Sequence, residues 1–127
     1  MNKIQHSALM VRDWVYNAKG KPCKITVTYE DSTWGQGTDG ILYQFSDINP
    51  AHGIPITKDI LVKNNLSVSG QGMCFLPNSD VSLSFSDDYV SVLDSDYNAF
   101  LAIHYIHELQ HLLRLIYPNG DYKIEHI

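Results

Sequence analysis

Up to residue 88 this chain is cut by dense turn signals into runs too short for long helices, and that punctuation is its strongest constraint on the fold. Asn17-Ala18-Lys19-Gly20-Lys21-Pro22, the Gly-rich stretch Asp31–Gly40, Asn49-Pro50-Ala51-His52-Gly53-Ile54-Pro55, Gly70-Gln71-Gly72, Pro77–Asp80 and Ser86-Asp87-Asp88 are the breaks. β-Prone runs lie between them. Lys24–Glu30 alternates strictly and predicts a half-buried strand with Ile25, Val27 and Tyr29 on one face. Ile41–Phe45 is a second run, and Met73–Leu76, Val81–Phe85 and Tyr89–Leu93 read as a meander. In its middle run Val81, Leu83 and Phe85 face inward, and the serines between them meet water.

Two places predict helix. Thr57 is a candidate N-cap, Asp59 sits in the first turn, and Ile60, Leu61 and Leu66 make an apolar stripe, so a helix is expected over 57–65. The stretch 99–117 is the most apolar, stopped by Pro118-Asn119-Gly120; it is helical from Tyr105 onward, while Ala99–Ile103 fits strand or helix equally. Asn49–Pro55, with two prolines and a glycine, reads as a connector that sustains neither a helix nor a central strand. The expectation is an α+β protein. Residues 1–48 form a small antiparallel β lobe, SH3-like in one version, and residues 54–127 a lobe in which the meander packs against two short helices; one compact domain is the alternative.

The 127 residues are 44% hydrophobic, enough for one core, and a charged fraction of 18% with 11% aromatics argues against disorder or a coiled coil. No window approaches a membrane span, and Met1–Ser7 leads into Arg12 and Asp13 rather than a signal-peptide core, so a soluble cytoplasmic protein is expected. Cys23 and Cys74 lack metal-site or redox spacing and are expected as buried free thiols. Lys3, Arg12, Lys19, Lys21 and Lys24 against Asp13 alone leave residues 1–29 at +4 in a chain of net charge −5. That asymmetry allows weak nucleic-acid contact through the N-terminal lobe, though no basic run occurs.

His107-Glu108-Leu109-Gln110-His111 spells H-E-x-x-H, in which two histidines one helical turn apart bind Zn²⁺ and the glutamate activates its water. A shuffled chain with six His and three Glu would contain it in about 0.6% of cases. His107 and His111 are therefore the candidate ligands and Glu108 the candidate general base. A catalytic zinc needs a third protein ligand. The longer metzincin pattern fails at Arg114 and Tyr117, which leaves His104, Glu125 or His126. On a helical projection Ile106, Leu109, Leu113 and Ile116 form one stripe and His104, His107, Glu108 and His111 the opposite side, so the pentapeptide reads first as the solvated face of an amphipathic helix, with the zinc site as the alternative.

Gly35-Gln36-Gly37-Thr38-Asp39-Gly40 matches G-x-G-x-x-G but precedes a strand, not the helix a dinucleotide site requires, and reads as a hairpin loop. Asp94-Ser95-Asp96-Tyr97-Asn98 starts like a calcium loop, then places Ala99 where Gly is needed and Tyr105 where Glu is needed; it reads as a polar turn.

Three landmarks occur in order: Leu9-Met10-Val11-Arg12-Asp13-Trp14-Val15, Ile54-Pro55-Ile56-Thr57-Lys58-Asp59-Ile60-Leu61, and His104-Tyr105-Ile106-His107-Glu108-Leu109-Gln110-His111-Leu112-Leu113. Together they resemble a family of short uncharacterised proteins of gut anaerobic bacteria and their phages or prophages, over residues 8 to 117. In that family the last landmark typically reads Tyr-Val-His-Gln-Leu-Gln-Asn after a strand. The match therefore covers His107, Leu109 and Gln110, with no second ligand and no base. The resemblance implies a strand at Ala99–Ile103 and a mobile-element context. The function expected is that of a non-enzymatic accessory or interaction protein with a protein partner and no cofactor; a zinc hydrolase is the alternative.

Overall fold

The computed structural model describes residues 2–127, and the chain divides into two units, Met1–Ile54 and Pro55–Ile127. Apart from one 3-10 turn at His6–Ala8, the regular structure of the first unit is strand: β1 (Lys3–Ile4), β2 (Trp14–Tyr16), β3 (Pro22–Thr28), β4 (Thr33–Gly37), β5 (Leu42–Phe45) and β6 (Ala51–His52). They form one antiparallel sheet in the order β1-β6-β2-β3-β4-β5, and among the described residues β1 and β5 are its unjoined edges, so the sheet is open rather than a closed barrel. Ile4, Leu9, Val15, Cys23, Ile25, Phe45 and Ala51 make its core, with Tyr43 packed against them. Trp14 is buried in the same unit, under the ammonium of Lys24 at 5.8 Å, and Trp34 lies on β4.

Three details depart from the alternation read in the sequence. The first is β3, whose ladder to β4 shifts between Ile25 and Val27: Ile25 faces Gly35, yet Val27 faces Trp34. A bulge inserts one residue and rotates the alternation beyond it. Cys23 and Ile25 are therefore buried, while Val27 and Tyr29 are exposed. The second is the glycine-rich stretch, half of which is strand rather than loop: Thr33–Gly37 is β4, with Asp31 and Ser32 in the turn that precedes it and a second turn between Gly37 and Ile41. Gly35 keeps the approach close there: a Cβ would lie 3.1 Å from the ring of the buried Phe45 and 3.3 Å from the Lys24 carbonyl, so a larger residue would press on both. The third is the supposed connector, which contributes β6 to the sheet interior between β1 and β2. Pro50 and Pro55 fall outside its two paired residues, so no ladder donor is lost, and Ala51 is fully buried.

The second unit contains α1 (Lys58–Lys63), β7 (Met73–Phe75), β8 (Ser82–Phe85), β9 (Val90–Leu93), β10 (Ala99–Ile103) and α2 (Ile106–Ile116). Thr57 caps α1 by accepting from the Ile60 amide at 3.3 Å, and Ile60, Leu61 and Leu66 are buried as the stripe predicts. The four strands form a second antiparallel sheet in the order β10-β9-β8-β7, so Ala99–Ile103 is a strand, at the sheet's edge. On β8 Leu83 is fully buried, but Phe85, like Val81 just before the strand, is only half-buried, and Ser82, expected in water, is buried. Thus α+β holds for the chain: two antiparallel sheets and two short helices.

Candidate functional site

The backbone leaves β10 at Ile103 and turns straight into α2, which places the H-E-x-x-H residues on the helix's first two turns. Helix N-termini leave backbone N–H groups without intrahelical acceptors. Here Glu108 supplies one from the third helical position: its Oε1 accepts from the amides of His104 and Tyr105, both at 3.0 Å. This is the carboxylate half of a capping box, and it aligns the glutamate with the helix dipole. The candidate general base is therefore bound to the backbone that introduces the helix.

The imidazoles are arranged by burial and ring contacts. His107 is buried, as is Gln110, so the pentapeptide is not the solvated face expected; Glu108 and His111 are half-buried, and only Leu115 points fully outward, at 81% exposure. The buried arc includes Ile106, Leu109, Leu112 and Leu113 and is wider than the four-residue stripe, sweeping far enough round the helix to take in His107. Tyr105 stacks on His107 with ring centroids 6.0 Å apart and planes 8° apart, and His107 meets His111 edge-on at 5.9 Å. Tyr105 also lies 5.9 Å from the exposed His104, which in turn lies 6.4 Å from Tyr89. Tyr105 thus contacts the rings of both His104 and His107 in a row of five rings, Tyr89, His104, Tyr105, His107 and His111.

The other two proposed third ligands are anchored at the end of α1. Asn64, the C-cap residue, accepts through Oδ1 from the amides of Glu125 and His126, at 2.7 and 3.0 Å, and donates through Nδ2 to the carbonyls of Ile60 and His126. Both Glu125 and His126 keep exposed side chains. Among the described residues, no three His, Cys, Asp or Glu side chains come together so as to hold a metal ion. No family model matches the chain, and neither a curated protein nor a solved structure is significantly similar to it.

Two features the sequence reading passed over stand out in the second unit. β10 has no strand on its outer side among the described residues, and Ala99, Phe100, Leu101 and Ala102 are all exposed. A cleft of ≈ 190 Å³ opens where β7 and β8 meet the β9–β10 turn. That turn is polar as expected, with Asp94 Oδ1 accepting from the amides of Asp96 and Asn98 at 2.9 Å each. The cleft itself had no sequence signal, because its walls come from three separate segments.

The thiols are chemically quiet. Cys23 and Cys74 are free and buried, and burial pushes each thiol up to about 11. No helix is long and apolar enough to cross a membrane among the described residues.

Proposed function

We propose that this chain is a non-enzymatic interaction protein whose second sheet is completed along β10 by an extended segment of a partner protein. The observation that carries the reading is an open edge strand with both faces in solvent: Phe100 is 57% and Leu101 46% exposed. Edge strands normally carry lysine, proline or inward charges that discourage pairing. Ala99–Ile103 has none of these, and no charged residue lies between Asp96 and Glu108. A bulge at Phe100 divides the ladder, leaving Leu101–Ile103 as its regular part. The strand pair is bounded by acidic turns, Asp87 and Asp88 at one end and Asp94 and Asp96 at the other. The matching occupant is a strand apolar at its centre and basic at its flanks, bound by main-chain hydrogen bonds. The landmark resemblance supports a phage or prophage setting.

A synthetic peptide of alternating valine and threonine flanked by lysines tests this. Binding should slow hydrogen exchange at the amides of Ala99–Ile103 and should be lost in Leu101→Lys, which leaves the fold intact. Unchanged exchange along β10, or equal binding by the variant, would sink the proposal.

The competing reading is a zinc hydrolase on His107, His111 and Glu108, supported by two imidazoles one turn apart on a helix. Elemental analysis separates the two. Interaction alone predicts essentially no zinc in the purified protein, whereas a metal centre predicts about one zinc per chain, lost in His111→Ala. Contact with nucleic acid has weaker support, because the five cations of the first unit share it with Asp13, Glu30, Asp31, Asp39 and Asp47.

A further inference from the structure

The ≈ 190 Å³ cleft of the second unit combines three kinds of group: an aromatic pair, two carboxylates and a buried hydroxyl. The rings of Phe75 and Tyr97 stand edge to face, 6.5 Å apart at 83°, although both are mostly exposed. Asp80 and Asp94 line the same cleft, and no lysine or arginine does. Asp94 spends Oδ1 on the turn, so Oδ2 is its oxygen for a ligand. Ser82 enters from β8; it is only 3% exposed, and its Oγ has no hydrogen-bond partner among the described residues. A buried hydroxyl in that state is costly, and a polar occupant of the cleft removes the cost.

We propose that this cleft binds a primary alkylammonium group, of the kind carried by a lysine side chain. An ammonium offers three donors and no acceptor, and Asp80, Asp94 and Ser82 present acceptors with no competing cation. The aromatic pair takes the methylenes along its faces and attracts the charge. Four cations against nine carboxylates in residues 55–127 give the whole unit a potential that draws cations to it. Anionic ligands are repelled by the two carboxylates, and a neutral sugar leaves both uncompensated. A metal ion lacks the three-ligand group it would need among the described residues. The site does not depend on strand addition at β10.

The test is an amide NMR titration of the full chain with N-acetyl-lysine methylamide, using N-acetyl-norleucine methylamide as the neutral control. Shifts confined to the amides of Phe75, Ser82, Asp94 and Tyr97, with Kd on the order of millimolar, are expected for the lysine probe alone. Asp80→Asn and Asp94→Asn, the second of which keeps the turn's acceptor, should each weaken binding about tenfold as a charge-assisted bond is lost. Ser82→Ala should weaken it while leaving thermal stability unchanged or raised, which a purely structural serine would not do. No shifts up to about 50 mM, a concentration far above a millimolar Kd, equal binding of the norleucine probe, or the same shifts from calcium chloride or glucose instead would each overturn the assignment.

Discussion

Glu108 shows how one residue can be spelled for one role and folded into another. In H-E-x-x-H it is the base; in the structure its carboxylate accepts the amides of His104 and Tyr105. Glu108→Ala should therefore cost about 1 kcal/mol in urea unfolding, with Glu108→Gln retaining much of it, because an amide oxygen still caps. Asp13, fully buried in the first landmark, accepts the Met10 amide at 2.8 Å. Asp13→Ala leaves that donor without its acceptor and should cost about 2 kcal/mol, with Asp13→Asn milder. The two thiols give a pH prediction. Their folded values near 11 lie above the ordinary value of 9.0, so the folded state holds these protons more tightly. The stability they contribute is complete below the ordinary value and is lost as pH rises from there toward 11. Denaturation midpoints should fall over that window, and a thiol reagent at neutral pH should modify neither cysteine until the chain unfolds.

Among elements, those whose signals are local were legible. Thr57, Asp59 and the Ile60–Leu61 stripe announced α1, and the runs between turns announced the meander. What stayed hidden depended on partners distant in sequence. Nothing around Thr26 signals the bulge that turns Val27 and Tyr29 outward, since a bulge is a property of the pairing with β4. β6 was hidden by its flanking prolines, and the strand state of Ala99–Ile103 is decided by its ladder to β9. The capping box escaped notice because its N-cap is Tyr105, not the usual serine or threonine, and because the zinc motif uses the same letters. Within β10, Ile103 is buried while Leu101 is not. Ile103→Ala should therefore cost about 2–5 kcal/mol, and Leu101→Lys less than about 0.5 kcal/mol, read as shifts in the unfolding midpoint.

At the scale of the molecule, charge is distributed unevenly between units. Residues 1–54 balance five cations with five carboxylates, whereas residues 55–127 carry nine carboxylates against four cations. The apolar β10 edge and the aromatic cleft both belong to the second, acidic unit, so the basic-flanked strand and the alkylammonium group proposed for them both carry the sign of charge that this unit attracts. Both tryptophans, in contrast, belong to the first unit, Trp14 in its interior and Trp34 on β4. Indole emission is thus a private signal from residues 1–54, while the far-ultraviolet signal of α1 and α2 comes from residues 55–127 alone. Recorded on one sample during one melt, indole emission follows the first half of the chain by its own light, and the helical part of the far-ultraviolet spectrum follows the second, without a label or a cut.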